Sequence, residues 1–317
     1  METFKSFSEK LFNEKSVAIF AHMRPDGDTV GSCFALYHAL IKKGIDACVF
    51  CSDKIPKKYD YLAGIFPASN FIDKEYSAFL AVDCASIDRL GDFSGAFSIH
   101  KNTYNLDHHI SNDRFAKTNL VVNSASNAEN VYEVLLEVNQ EITEEIANFL
   151  ALGVITDTGN FKHKNVTPET LLVASKLLEK GADFNKTVYQ NFSVQSKERA
   201  KLYGLCMSKL RYLLDDRLCV LVITAEDFAK TGALPEETEG FIDFIMGIDI
   251  VEVGVSIMET DKRSYKVSFR SKETNVNEIA GVFGGGGHVQ ASGCRISGEL
   301  EDVIDRIRYA VKQHVKD

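Results

Sequence analysis

Nowhere in this chain do about 20 apolar residues run together, the length a helix needs to cross a bilayer. The opening stretch METFKSFSEKLFNEK reads as an amphipathic helix and not as the apolar core of an export signal. No membrane span is therefore expected, and the cytoplasm is the default location. An excess of positive charge is missing as well. The net charge of −9 argues against a protein that coats long nucleic acid, because such binding rests on many cationic phosphate contacts. A small phosphorylated ligand held by a few arginines and metal ions stays open. Nor is there a cysteine framework. The seven cysteines are an odd number, and the CxxC of Cys48 and Cys51 lies in ACVFC, a strand pattern that sends the two side chains to opposite faces. With no second pair to match it, zinc and redox readings give way to buried, reduced thiols. The glycines supply no P-loop, since GGGG at 284–287 is not followed by Lys-Ser or Lys-Thr, and no GxGxxG follows an early strand. No internal repeat or low-complexity tract is evident.

What remains is a chain of 317 residues, 45% apolar and 26% charged. That is the balance of a globular protein, at a length that suggests two cores. Residues 17–21, 47–50, 79–82 and 104–106 are short apolar strand candidates, each running into polar residues. Helical spacing covers 29–43, 128–138, 144–155 and 168–179, the last with Thr167 as its cap and Pro168 in its first turn. Such alternation predicts an α/β fold, a mostly parallel sheet with helices on both faces, over residues 1–185. Residues 186–212 are charged and helical and are expected to form a connecting helix. Strand patterns at 218–223, 251–258 and 265–270, the Gly-rich loop and an amphipathic helix at 301–314 predict a smaller α+β domain over 213–317.

Open parallel sheets bind ligands at the carboxyl ends of their strands. After the first strand come His22, Asp26 and Asp28; after 79–82 comes Asp83; after 104–106 come Asp107, His108 and His109; and the helix ending near Ile155 delivers Asp157. Each has a plain alternative. Asp28 would serve as the N-cap of a helix starting at Thr29, Asp83 and Asp157 as turn residues, and the histidines as one buried and one exposed ring. Jointly they would crowd carboxylates and imidazoles onto one sheet edge, where like charges repel unless a cation neutralises them. Two divalent ions would do so, and oxygen and imidazole donors without thiolate favour Mn²⁺ or Mg²⁺ over structural zinc.

HMRPDGDTVGS, VDCAS, LDHH and ITDTGNF, in this order and spacing, resemble the four motifs of the DHH phosphoesterase family. GGGGHVQASG resembles the glycine-histidine signature of the DHH-associated C-terminal domain. The compact length is most similar to the stand-alone oligoribonuclease and 3′-phosphoadenosine 5′-phosphate phosphatase branch. The resemblance implies His22, Asp26 and Asp83 on one ion and Asp28, Asp83, His108 and Asp157 on the other, with Asp83 bridging. It implies that Asp107 orients the histidine pair and that His109 faces the scissile phosphate or donates to the leaving oxygen. Arg270, Ser271, Gly285, Gly286, Gly287 and His288 would form the substrate wall across a cleft between the domains, with glycine N–H groups and His288 available to phosphate. Thr29 stands where the family more often has alanine, and SASNAENVYEVL has Asn127 where threonine is usual. His163 has no assigned role.

These features imply a Mn²⁺-dependent hydrolase, with Mg²⁺ as the alternative ion, that cuts oligoribonucleotides of two to a few residues to mononucleotides. The same site would hydrolyse 3′-phosphoadenosine 5′-phosphate to AMP. Turnover of cyclic di-AMP or its linear product is the nearest rival, and a catalytically silent nucleotide sensor is the rival from another class. No stable long nucleic-acid partner is expected, and self-association is left open.

Overall fold

Side-chain alternation along five strands sets the layering of the first half of the protein. The computed structural model describes residues 2–64 and 68–315, which divide into an N-terminal unit, Met1–Val194, and a C-terminal unit, Gln195–Asp317. The N-terminal unit runs α1 (Phe4–Leu11), β1 (Ser16–Phe20), α2 (Gly27–Lys42), β2 (Asp46–Phe50), β3 (Ala78–Val82), α3 (Ser94–Ile99), β4 (Thr103–Asp107), β5 (Thr118–Val121), α4 (Asn127–Glu137), α5 (Glu144–Asp157), α6 (Pro168–Glu179) and α7 (Phe184–Val188). Its five strands are all parallel, in the order β2-β1-β3-β4-β5. Val17, Ile19, Leu80, Val82 and Leu106 pack with α2, α4 and α5 in one core. Ala18, Phe20, Phe79 and Ala81 point the other way, against Phe93 and Phe97. Both faces are therefore covered, as parallel sheets require.

The strand order reverses between β1 and β3. Doubly wound sheets open a crevice at the carboxyl ends of their strands at such a switch point. Helix α2 starts there and packs closely on α5. A Cβ at Gly153 of α5 would lie 2.5 Å from Ala128 Cβ and 2.5 Å from Asp28 Oδ1, so only glycine allows the approach.

The C-terminal unit contains α8 (Lys197–Met207), β6 (Arg211–Leu213), β7 (Leu218–Ile223), α9 (Ala225–Thr231), α10 (Phe241–Met246), β8 (Val253–Asp261), β9 (Ser264–Ser271), α11 (Val276–Val282), β10 (Gly286–His288), β11 (Ala291–Ser297) and α12 (Leu300–Lys312). Its mixed sheet has the order β10-β11-β9-β8-β7-β6, with β7 and β8 parallel and the other pairs antiparallel. Val220, Val255, Val267 and Phe269 pack on α11 and α12, while Cys219, Leu221 and Ile223 pack on α8 and α10.

The expected connecting helix over 186–212 is broken. After α7 the chain makes one π-helical turn, Tyr189–Ser193, then extends at Val194, and Ser196 caps a new helix by accepting from the Arg199 N–H at 2.9 Å. Cap chemistry outweighs the helical spacing, and the two units divide at that break. Among the described residues no helix is long and apolar enough to cross a membrane. All seven cysteines are free.

Candidate metal centre

The residues after β1, β3 and β4 and at the end of α5 meet at the switch point. Asp26, not Asp28, is the N-cap of α2: its Oδ1 accepts from the N–H groups of Asp28 at 3.1 Å and Thr29 at 3.0 Å. The plain alternative, in which Asp28 caps this helix, does not hold, since the helix starts at Gly27, two residues before Thr29. Asp28 is left buried. Its carboxylate caps a different helix, accepting from the N–H groups of Asn127 at 2.5 Å and Ala128 at 2.9 Å at the start of α4. A carboxylate is favourable there because the helix N-terminus is electropositive.

Three trios of donor atoms form, each with its atoms within 4.8 Å of one another: first His22, Asp26 and Asp83, second Asp28, His108 and Asp157, and a third, Asp83, His108 and His109, that overlaps both. Asp83 lies between the first two. Its Oδ2 is 3.7 Å from His22 Nε2 and its Oδ1 is 3.5 Å from His108 Nε2. His108 Nε2 is also 3.5 Å from Asp157 Oδ2 and 3.9 Å from Asp28 Oδ2. His22 Nδ1 donates to the Met23 carbonyl at 2.8 Å and His108 Nδ1 to the Ser124 carbonyl at 3.1 Å. In both rings this leaves Nε2 as the nitrogen that would ligate an ion.

Asp28, 1% exposed, and His22 and Asp83, each 2% exposed, have almost no water to screen them, whereas Asp26 is exposed and His108 and Asp157 are half-buried. Burial, reinforced by the charge of Asp157, pushes Asp28 up to about 8. Burial and the charges of Asp28 and Asp26 push Asp83 well above the usual carboxylate range. Asp157 is also raised, by burial and by Asp26, although the His108 ring opposes this. Burial alone would lower His108, but Asp28, the Ser124 carbonyl and Asp157 raise it. Asp26 moves the other way: against the penalty of burial, the His22 ring and the Thr29 N–H hold it at about 2.

The donor set fits divalent ions on one direct observation. Asp83 Oδ1 is buried and has no hydrogen-bond partner. An orphaned carboxylate oxygen is costly in a folded protein, and a cation is the partner that its surroundings supply donors for. Asp83 also holds a left-handed backbone, φ 56°, a strain found at sites whose geometry is over-determined.

The histidine pair is held by two different groups. Asp107, fully buried, accepts from His109 Nδ1 at 2.7 Å and from Asn112 Nδ2 at 2.5 Å. Those contacts overcome the cost of burial and hold its carboxyl below the usual range. His108 takes its ring contact from Ser124. Asp107 therefore fixes the ring of His109 alone, which corrects the expected control of both rings. His109 Nδ1 is 3.7 Å from Asp83 Oδ1, but its bond to Asp107 leaves Nε2 as its free nitrogen. Asn112 and the Ser124 carbonyl escaped the sequence reading. Asn112 lies five residues beyond Asp107 without an apolar frame, and no side-chain pattern announces a carbonyl. His163, unassigned from sequence, donates Nδ1–H to the Asp157 carbonyl at 3.1 Å.

In the C-terminal unit, Arg270 ends β9 and its Nη1 donates to the Phe269 carbonyl at 3.0 Å. Ser271 Oγ donates to the Thr274 carbonyl. The expected Gly-rich loop is in part a strand, because Gly286, Gly287 and His288 pair with Gly293, Ser292 and Ala291. The N–H groups of Gly284 and Gly285 donate to Gly281 and Ala280, and that of Gly287 donates to Asn277 Oδ1 at 2.8 Å. These N–H groups are committed within the unit, so Gly285 and Gly287 drop out of the expected glycine cradle for phosphate. Gly285 serves close approach instead: a Cβ there would lie 2.2 Å from the Gly293 carbonyl. Ala291 pairs with both His288 and Arg270, which puts these three side chains on one face, with the small alanine between two polar ones.

Comparison with known proteins agrees with this layout. The DHH family N-terminal domain matches residues 16–154, and the DHHA1 domain matches residues 215–317. The chain is 29% identical over 312 residues to the bifunctional oligoribonuclease and PAP phosphatase NrnA of Thermus thermophilus, covering 95% of this chain and 91% of the relative. It is 29% identical over 321 residues to the probable bifunctional oligoribonuclease and PAP phosphatase NrnA of Streptococcus mutans, covering 98% and 100%. The crystal structure of an exopolyphosphatase-related protein from Bacteroides fragilis is similar in fold, with a TM-score of 0.83 at 24% identity over 98% of this chain and 96% of that one. Both halves of the sequence find their counterparts in the same order, and the chain belongs to the DHH family, with a DHH domain followed by a DHHA1 domain.

Proposed function

We propose that the protein is a metal-dependent phosphoesterase that hydrolyses very short oligoribonucleotides to mononucleotides and 3′-phosphoadenosine 5′-phosphate to AMP. The observation that carries this reading is the set of overlapping donor trios around Asp83, whose buried Oδ1 has no hydrogen-bond partner. The names of the near full-length relatives supply the substrate class. His22, Asp26 and Asp83 would hold one ion, and Asp28, Asp83, His108 and Asp157 the other, with Mn²⁺ as the ion of choice for this oxygen and imidazole set. When bound, the ions polarise a phosphoryl oxygen and acidify water.

The chain's own groups supply orientation and proton transfer. Asp107 and Asn112 fix the ring of His109, which in its doubly protonated form would give its Nε2 proton to the leaving oxygen as the P–O bond breaks. Substrate recognition is assigned to Arg270 and His288, which share one face of the C-terminal sheet. A guanidinium grips phosphate through two parallel N–H bonds, and an imidazole can donate to phosphate or stack on a base. So few cationic groups in a chain of net charge −9 suit a short substrate better than a long strand. The cytoplasm, where such substrates arise, is the proposed location.

The test is a product time course with Mn²⁺ on pApA, 3′-phosphoadenosine 5′-phosphate, cyclic di-AMP and a long single strand, run separately beside an Asp83→Ala protein. Conversion of the first two to AMP, lost in the variant, supports the reading. Preference for the cyclic compound would replace it with signal turnover. No metal-dependent cleavage at all would leave a nucleotide-binding protein.

A further inference from the structure

One five-residue segment, Ser124 to Ala128, bonds two members of the second donor trio directly and the third through Asn165. The Ser124 carbonyl holds His108 Nδ1 at 3.1 Å, and the N–H groups of Asn127 and Ala128 hold the two oxygens of Asp28 at 2.5 and 2.9 Å. The tie to Asp157 is indirect. Asn165 Nδ2 lies 2.9 Å from the Ala125 carbonyl and 3.2 Å from the Asp157 carbonyl, bridging the two. His163 Nδ1 reaches the same Asp157 carbonyl. The segment is itself braced: Ser124 Oγ donates to the Ser126 carbonyl at 2.7 Å, and Asn130 Nδ2 ties Val122 and Asp107 together through their carbonyls at 2.9 and 3.3 Å. The first trio has a different support: Thr29 bonds Asp26 through its N–H at 3.0 Å and Asp83 through its hydroxyl at 2.6 Å. His22 leans on the adjacent Met23 carbonyl, and Asp26 caps its own helix.

We propose that Ser124–Ala128, with Asn165 as its tie to Asp157, is the positioning device for the ion held by Asp28, His108 and Asp157, and that the two metal positions can be weakened independently. The proposal rests on the two-ion reading above. The three ligands come from α2, the loop after β4 and the end of α5, far apart in sequence, and the charge of Asp157 repels that of Asp28. Only a common support holds them at ligand spacing before an ion arrives. Asn165 is the exposed member of that support. It is a positioning residue, touching neither ion nor substrate, and its loss need not unfold the protein.

The test follows Mn²⁺ uptake by electron paramagnetic resonance in the intact chain and in Asn165→Ala, with Asp157→Ala and His22→Ala as references for loss of each position. Metal-free thermal unfolding of Asn165→Ala checks that it still folds. The intact chain should take up two ions with a coupled two-ion spectrum. Asn165→Ala should weaken one ion by about 10- to 100-fold, a typical loss when a ligand's supporting bond is removed. At intermediate Mn²⁺ its one-ion spectrum should match that of Asp157→Ala. Equal weakening of both ions, no weakening, or a spectrum matching His22→Ala would overturn the proposal while leaving the two-ion reading in place. A single ion in the intact chain would overturn that reading, and this proposal with it.

Discussion

The Thr29 hydroxyl donates to Asp83 Oδ2 at 2.6 Å, while the Oδ1 of the same carboxylate has no hydrogen-bond partner. A donor to the charged form of a carboxylate makes protonation harder. Thr29 therefore opposes the burial and the neighbouring charges that push Asp83 upward. Thr29→Ala should make Asp83 bind its proton more tightly, so that ions compete with protons less well. The acid limb of the Mn²⁺-dependent activity should move to higher pH, with little change at alkaline pH. A pH–rate profile of the two proteins checks this, and an unshifted acid limb would count against the role given to the hydroxyl.

Metal-free stability should fall as pH rises from about 5 to about 8. Asp28 is held at about 8 in the folded chain, against about 4 for an unfolded aspartate. Between those values the folded state binds more protons than the unfolded state, so stability decreases with pH. Asp83 and Asp157, both raised, act in the same direction, as does His108. Asp26 and Asp107 are lowered, so what they contribute is already complete above the unfolded aspartate value. Saturating Mn²⁺ displaces these protons and should raise the unfolding temperature most at the alkaline end. Thermal melts in chelator and in Mn²⁺ across this range decide it; a metal-free midpoint that climbs with pH would refute the assignment.

Asp107 and Asn112 act on turnover through His109. Asp107→Asn keeps the shape but replaces the acceptor that fixes Nδ1–H, so the ring can turn over or take the other tautomer. The expected loss in kcat is about 10²- to 10⁴-fold, the usual contribution of a positioned acid or base, with KM and Mn²⁺ affinity changed far less. Asn112→Ala removes only one of the contacts that hold Asp107 and should cost less. Steady-state kinetics with a parallel Mn²⁺ titration separates these effects. A loss seen mainly in metal affinity would instead make Asp107 a support for the ions.

How far the site could be read from sequence depended on the kind of contact. Asp83 was legible because a polar residue directly after a buried parallel strand, here Val82, has only the carboxyl edge to occupy. The same logic put His22 and the His108–His109 pair on that edge. The cap of α2 was not decided by sequence, because Asp26 and Asp28 both stand near the first helical residue and only the helix start at Gly27 separates them. Ser124 and Asn165 were illegible for a different reason. One acts through its carbonyl, which every residue has, and the other bridges two backbone carbonyls from an exposed loop. In the fold, β5, β6, β10 and β11 were missed: TNLV is half polar, RYL is three residues long at the end of a charged stretch, GGH has neither apolar alternation nor β-branched residues, and ASGCRIS mixes small with polar residues. The break before α8 depends on one serine cap within a long charged stretch.

Asn127 offers the last prediction. It is the first residue of α4, its N–H serves Asp28, and its side chain is fully buried with neither amide atom hydrogen-bonded. Leaving a buried polar group unpaired costs about 1–3 kcal/mol. Threonine, usual at this place in the family segment that SASNAENVYEVL resembles, is smaller, keeps the backbone N–H for Asp28 and has one hydroxyl in place of an amide with two unmet ends. Asn127→Thr should therefore stabilise the metal-free protein by about 1 kcal/mol. Mn²⁺ uptake should be unchanged, because the contact to Asp28 comes from the backbone. Denaturant unfolding in chelator measures the first expectation and a Mn²⁺ titration the second. A less stable variant would mean that the Asn127 amide has a partner that satisfies it, such as a buried water.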